Sequence, residues 1–148
     1  MDTTGTAGSI SATVTNTGAL AGATVVQLYL RINTSGVTRP AQQLAGFHRV
    51  ELAPGQSCRV TFHVSAAQLG CTNLAHDFAV EPATVGVFLG FDSDDRALTG
   101  SFELIGKPRV LTSSERAFLS ETTTAKESAC RAYCSAPRTT PNTTPPTC

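Results

Sequence analysis

The stretch Ala12–Ile32, ATVTNTGALAGATVVQLYLRI, decides the fold class of this chain. Successive side chains of a β-strand leave opposite faces, so a period of two predicts a strand with one buried face. Burial of each Val, Leu or Ile side chain contributes about 1.5–3 kcal/mol, so one such strand can anchor a core. The second half of the stretch has this period: Val26, Leu28, Leu30 and Ile32 alternate with Val25, Gln27, Tyr29 and Arg31.

A shorter strand of the same kind precedes it. Ile10, Ala12 and Val14 alternate with Ser and Thr residues. Residues 16–22, NTGALAG, join the two segments and contain the Asn and Gly that tolerate the positive φ of a turn. We therefore expect two consecutive strands separated by a turn.

Residues 44–52 are predicted to form a short strand pair. Its apolar anchors are Phe47, Val50 and Leu52, and their spacing does not follow a strict period of two. Such an irregularity indicates a β-bulge or bend, which we place near Gly46.

Further short strands are predicted along the rest of the chain. Residues 58–65 alternate again, and Cys58 falls in their inward set, where a thiol behaves as a small buried apolar group. A single helical turn at 66–69 precedes strands at 78–80, 84–91 and 98–105. About seven short strands with regular turn signals are typical of an antiparallel β-sandwich of the immunoglobulin type. The predicted fold class is all-β.

Composition excludes several classes of partner. The formal net charge is +0, charged residues make up 15% of the chain, and no basic stripe is interleaved with aromatic residues, so we expect no nucleic-acid partner. No apolar run approaches the length of a membrane span, so we expect no membrane partner. The first ten residues, MDTTGTAGSI, lack the basic and apolar regions of a signal peptide.

Seven short segments, in order, resemble the fibronectin type III-like domain at the C-terminal end of glycoside hydrolase family 3 enzymes, which are mostly β-glucosidases and β-xylosidases. Together they cover roughly residues 10–105. The segments are VTNTG (14–18) with GATVVQLY (22–29), RP (39–40), LAGF (44–47) with VELAPG (50–55), VTF (60–62), VEP (80–82), VFLG (87–90) and LTGSF (98–102).

The resemblance implies a role as a non-catalytic accessory domain. Such a domain would stabilise the catalytic region of a family 3 enzyme, in the same chain or lost from it, and help to orient a polysaccharide substrate. It also implies an extracellular location. Two alternatives stay open: a free-standing carbohydrate-binding or adhesion module, and the remnant of a truncated gene.

The expected domain organisation has four parts. Residues 1–7 form a lead, and residues 8–106 form the fibronectin type III-like domain. Residues 107–134 are predicted to be a weakly helical linker, because Thr112 and Glu115 are spaced like a capping box. Residues 135–148, SAPRTTPNTTPPTC, are rich in Thr and Pro and predicted to be disordered.

No residue is predicted to be catalytic, and no cofactor or metal is expected. A glycosidase needs two carboxylates on either side of the scissile bond, and those of Asp92, Asp94 and Asp95 crowd one polar turn instead. Calcium is not favoured there because the ligand spacing of a calcium loop is missing. Cys130 and Cys134 lack the histidines and spacing of a zinc site, and the cysteine count of 5 leaves at least one unpaired within the chain. The chain alone is not expected to be an enzyme, although the enzyme it would belong to is an O-glycosyl hydrolase of β-glucosidase type.

The candidate contact residues are Gln27, Tyr29 and Arg31, which share the outward face of the central strand. They would contact substrate or a neighbouring domain, and Tyr29 could offer a ring on which a sugar stacks. Two acceptor triplets for N-glycosylation begin at Asn33 and Asn142, and they matter only if the protein is secreted.

Overall fold

A computed structural model describes Met1, Thr3, residues 8–33 and residues 36–127. The predicted disordered tail, the acceptor triplet at Asn142, and the cysteines at 130, 134 and 148 lie outside the described residues.

The described residues form strands joined by turns and two short 3₁₀ segments, Ala66–Leu69 and Ser113–Glu115. This confirms the all-β prediction, although the strands number ten rather than about seven. In chain order they are β1 (Gly8–Thr15), β2 (Gly22–Ile32), β3 (Gln43–Leu52), β4 (Ser57–Val64), β5 (Cys71–Thr72), β6 (Phe78–Val80), β7 (Ala83–Gly90), β8 (Leu98–Leu104), β9 (Arg109–Val110) and β10 (Glu121–Glu127).

Two sheets form the sandwich. The larger has the order β3-β2-β7-β8, and the smaller has the order β1-β4-β10. A third, short sheet of order β5-β6-β9 lies beside them. Every strand pair is antiparallel, as predicted. Within the larger sheet β2 is an inner strand, because β3 and β7 pair with its two edges.

The core lies between the larger and the smaller sheet of the sandwich. On β2 the predicted inward residues Val26, Leu28 and Leu30 are buried, while Ile32 at the strand end is half-buried and packs on the core. β4 supplies the facing side from the smaller sheet, and its four predicted inward residues are all buried: Cys58, Val60, Phe62 and Val64.

β3 differs from its prediction. It is one continuous strand rather than a strand pair, and its pairing with β2 shifts register where Leu28 faces Gly46 and Tyr29 faces Leu44. The predicted bulge near Gly46 is therefore present. The prediction of Phe47 as an anchor is wrong: Phe47 is 54% exposed because it shares the outward phase of Arg49 and Glu51, opposite to buried Val50 and Leu52. On the other side of the bulge the phase changes, and Ala45 is buried.

The segment predicted to be a weakly helical linker also differs. Glu115 does accept a hydrogen bond from the Thr112 N–H at 2.9 Å, but the turn ends after three residues. Residues 121–127, ETTTAKE, form strand β10 on the free edge of β4, so the helix predicted there is wrong. The threonines of this segment are β-branched, and such residues fit the pleated surface of a sheet. The second edge of β4 provides the backbone partners with which the segment pairs.

The part of the chain that the structure describes contains no helix long and apolar enough to cross a membrane.

Candidate interaction face

The predicted contact residues lie together on the outer face of the larger sheet. Gln27, Tyr29 and Arg31 alternate with the buried residues of β2, so their side chains leave the sheet on the side away from the core. Antiparallel pairing places Leu44 of β3 and Phe88 of β7 on either side of Tyr29. This face therefore carries a row of three apolar or aromatic side chains across three strands.

Tyr29 and Gln27 are held by hydrogen bonds. The Tyr29 hydroxyl donates to Oε1 of Gln27 at 2.5 Å, and Nε2 of Gln27 donates to the Phe91 carbonyl oxygen at 2.9 Å. Both side chains are half-buried, whereas Arg31 is exposed. The face is therefore fixed at its centre and charged at the Arg31 end.

Phe88 is covered by a cation. The Arg96 guanidinium lies 4.5 Å from the ring centroid of Phe88, within the range of a cation–π contact. Nη2 of Arg96 donates to Oε1 of Gln42 at 3.4 Å, and Nε2 of Gln42 donates to the Ser93 carbonyl at 2.7 Å. These contacts tie the β7–β8 turn to the segment before β3.

The acidic turn between β7 and β8 uses two of its carboxylates internally. Oδ1 of Asp92 accepts the N–H groups of Asp94 at 2.8 Å and Asp95 at 2.7 Å, and Oδ2 of Asp95 accepts the Phe91 N–H at 3.0 Å. The backbone N–H of Asp95, and then that of Asp94, hold the pKa of Asp92 below its ordinary value. A Cβ at Gly90 would lie 1.9 Å from the Asp95 carbonyl oxygen, so only glycine fits this tight turn.

No group of three or more His, Cys, Asp or Glu side chains within the described residues is placed to hold a metal ion. The carboxylates of the acidic turn stabilise the turn itself, as the hydrogen bonds to Asp92 and Asp95 show.

The outer face of the smaller sheet is rich in hydroxyl groups, a feature that the sequence analysis missed. Ser11 and Thr61 hydroxyls lie 2.9 Å apart, and His63 lies between Ser9 (Nδ1, 3.3 Å) and Thr123 (Nε2, 3.1 Å). The alternating Ser and Thr of β1 could have indicated this face. Because these groups bond to one another across strands, they stabilise the sheet.

Asn33, the first predicted glycosylation site, follows β2 and is exposed. Its backbone N–H donates to the Thr84 carbonyl at 2.9 Å. The two residues that complete the acceptor triplet lie outside the described residues, so the site stays a prediction.

The family comparison concerns the larger part of the sandwich. Residues 24–93, which run from β2 to the acidic turn, match the family model described as "Fibronectin type III-like domain". The chain contains a fibronectin type III-like domain. The resemblance drawn from the seven short segments is therefore confirmed.

Relatives of this fibronectin type III-like domain are β-glucosidases. The chain is 42% identical over 95 residues to a periplasmic β-glucosidase of Salmonella typhimurium, covering 64% of this chain and 12% of that protein. It is 41% identical over 96 residues to a probable β-glucosidase L of Emericella nidulans, covering 64% of this chain and 13% of that protein. The chain thus spans about an eighth of the length of these relatives.

Solved structures of β-glucosidases also contain a region that superposes on this chain. A glycoside hydrolase family 3 β-glucosidase of Bifidobacterium adolescentis superposes with a TM-score of 0.64 at 31% identity, covering 67% of this chain and 15% of that one. A β-glucosidase of Kluyveromyces marxianus, solved with glucose, gives a TM-score of 0.65 at 32% identity, covering 70% and 12%. The fibronectin type III-like domain is thus a small part of each of these enzymes.

Proposed function

We propose that this chain supplies the non-catalytic accessory domain of a glycoside hydrolase family 3 enzyme of β-glucosidase type, and that it stabilises the catalytic region by packing against it. The observation that carries the proposal is the agreement of sequence and structure on one region, which makes up 12–15% of the matched enzymes. In those enzymes the domain is joined to a much larger remainder.

The placement of the acidic side chains supports a non-catalytic role. A retaining glycosidase needs two carboxylates about 5–5.5 Å apart around the scissile bond. Here Asp92 and Asp95 cap a turn, Glu51 forms an ion pair with Arg49 within β3, and Glu115 is bonded to Thr112. Each of these carboxylates is engaged by a partner within its own turn or strand.

The outer face of the larger sheet is the proposed contact surface. Tyr29 and Gln27 are already ordered by their mutual hydrogen bond, so burying them against a second domain forfeits little side-chain entropy. Arg31 is exposed beside them and can reach a carboxylate of the neighbouring domain. A polysaccharide held between the two domains would meet the same residues.

We also propose that the parent protein works outside the cytoplasm, since the Salmonella relative is named a periplasmic enzyme. In a secreted eukaryotic product, Asn33 and Asn142 would then be open to N-glycosylation. Treatment with an endoglycosidase that removes N-glycans, followed by mass measurement of the protein purified from its source, tests both sites.

A complementation experiment tests the accessory role. The Salmonella enzyme is shortened by its matched region, and the full 148-residue chain is added to it in solution. We expect binding, a rise in the melting temperature of the shortened enzyme and partial recovery of β-glucoside hydrolysis. An unrelated β-sandwich of similar size serves as control. The proposal is wrong if this chain changes none of the three quantities more than the control does.

A further inference from the structure

Two pairs of exposed apolar side chains lie on either side of one backbone hydrogen bond. The Ser120 N–H donates to the Ala45 carbonyl oxygen at 2.6 Å, which fastens the segment before β10 to the bulge of β3. On β3 the exposed side chains are Leu44 (39%) and Phe47 (54%), and on the fastened segment they are Phe118 (71%) and Leu119 (53%). We call these four residues the edge patch.

The bulge explains why the β3 pair faces outward. Ala45 and Gly46 are both buried, so the residues that flank them, Leu44 and Phe47, are turned away from the core. A Cβ at Gly46 would lie 2.8 Å from the Phe62 ring and 3.3 Å from the Ser120 Cβ. Strand and segment are therefore in close contact at this point.

The fastened segment is held by a buried amide as well. Gln68 is 3% exposed, and its Oε1 accepts hydrogen bonds from the Ser120 hydroxyl at 3.2 Å and from the Ser65 N–H at 3.0 Å. Its Nε2 donates to the Ala45 carbonyl at 3.2 Å. Exposed apolar residues in a fixed position lose little entropy when a partner covers them.

The patch has the composition of the centre of an interface. Neither Leu44–Phe47, LAGF, nor residues 117–120, AFLS, contains a charged residue, and charged groups are depleted at interface centres. Leu44 also pairs with Tyr29, so the patch is continuous with the outer face described above.

We propose that the edge patch is the surface through which this domain docks on the catalytic region of a family 3 glycosidase. The inference rests on the proposed function and extends its contact surface from the outer face of the larger sheet to the adjoining edge patch. The partner that covers the patch is inferred from the length of the matched enzymes. The domain takes up 12–15% of them, so in these enzymes a far larger region is covalently tethered to it. Tethering gives that region a higher effective concentration than a second copy of the domain or a free sugar.

The test compares two double variants of the full chain. Phe47→Ser with Leu119→Ser removes the centre of the patch. Leu20→Ser with Leu74→Ser is the matched control, because these leucines lie in other loops and are 82% and 83% exposed. Binding to the shortened Salmonella enzyme is measured by calorimetry, and circular dichroism checks that each variant folds. Phe118→Ser serves as a second patch variant should the first fail to fold.

We expect the patch variant to bind at least about tenfold more weakly, a loss of about 1.4 kcal/mol, and the control within about twofold of the unchanged chain. If the unchanged chain binds and the patch variants bind equally well, the edge patch is not the docking surface, although the accessory role stands. If the unchanged chain does not bind, both proposals fail. Sedimentation tests a second copy of the chain as the occupant. If the unchanged chain and the control are dimers, the patch variant is a monomer, and added enzyme does not dissociate the dimers, the patch binds a second copy and the inference is overturned.

Discussion

The hydrogen bond from the Ser120 N–H to the Ala45 carbonyl oxygen joins the two sheets of the sandwich at one edge. Ala45 belongs to β3 in the larger sheet, and Ser120 immediately precedes β10 in the smaller one. Residues after position 106 therefore contribute to the fold: Leu111 is buried in the core, and β10 covers the edge of β4. We propose that the domain extends to residue 127.

Shortening the chain tests this extent. A version that ends at Gly106 loses Leu111 and β10, and burial of one leucine alone is worth about 1.5–3 kcal/mol. We expect its free energy of unfolding, measured with urea, to fall by at least about 2 kcal/mol. A version that ends at Glu127 is the control and should unfold like the full chain. Equal stability of all three versions would place the domain boundary before residue 107.

Gly46→Ala tests the packing at the bulge. The added methyl group would lie 2.8 Å from the ring of Phe62, which is fully buried, so any shift of the ring disturbs the core packing. Overpacking of this kind destabilises by about 1–3 kcal/mol. Gly22→Ala is the control, since its Cβ would meet nothing within 4 Å, and it should leave the protein unchanged or slightly more stable. In urea denaturation the free energy of unfolding should fall for Gly46→Ala and should stay the same or rise slightly for Gly22→Ala. A Gly46→Ala protein as stable as the original would contradict this packing.

The alternating segments were predictable from sequence because period two is a property of the strand itself. β2 and β4 follow it without interruption, and their inward residues are buried as expected. The fold class and the face that carries Gln27, Tyr29 and Arg31 followed from that pattern alone. Phe47 was mistaken for a core residue although it is out of phase with Val50 and Leu52, because the expected bulge was taken to bring it inward. The bulge lies before Phe47, at Ala45 and Gly46, where Phe62 and Ser120 lie next to Gly46.

β10 could not be recognised for a related reason. The positions that pair with the buried residues of β4 are Thr122, Thr124 and Lys126, so the segment lacks the apolar period that marks a half-buried strand. Its strand conformation depends on the free edge of β4, which is distant in sequence. The edge patch was missed likewise, since Phe118 and Leu119 gain their fixed position from the contacts of Ser120 with Ala45 and Gln68, which are distant in sequence.

Asp92→Asn tests the acidic turn through pH. Two backbone N–H groups lower the pKa of Asp92 in the folded state, so the folded protein binds fewer protons than the unfolded chain as pH falls. The stabilisation is complete above the unfolded pKa, near pH 4, and is lost as pH falls through the lower folded value. We expect Asp92→Asn to lower the melting temperature slightly at pH 7, and we expect the difference from the original protein to shrink as pH falls below the unfolded pKa. Asp94→Asn makes the same charge change while leaving both hydrogen bonds to Asp92 in place, so an equal effect of the two variants would rule out this cause.

Sugar binding by the isolated chain tests the first of the two alternatives, a free-standing carbohydrate-binding module. A sugar stacks on an open aromatic face, but Tyr29 is half-buried with its hydroxyl bonded to Gln27, and the ring of Phe88 lies under Arg96. We therefore expect no retardation of the chain in affinity electrophoresis on soluble β-glucan or xylan, and no difference between the original protein and Tyr29→Ala. Retardation that Tyr29→Ala abolishes would show that this ring is accessible to polysaccharide, and the free-standing module would then replace the accessory role as the better account of the outer face.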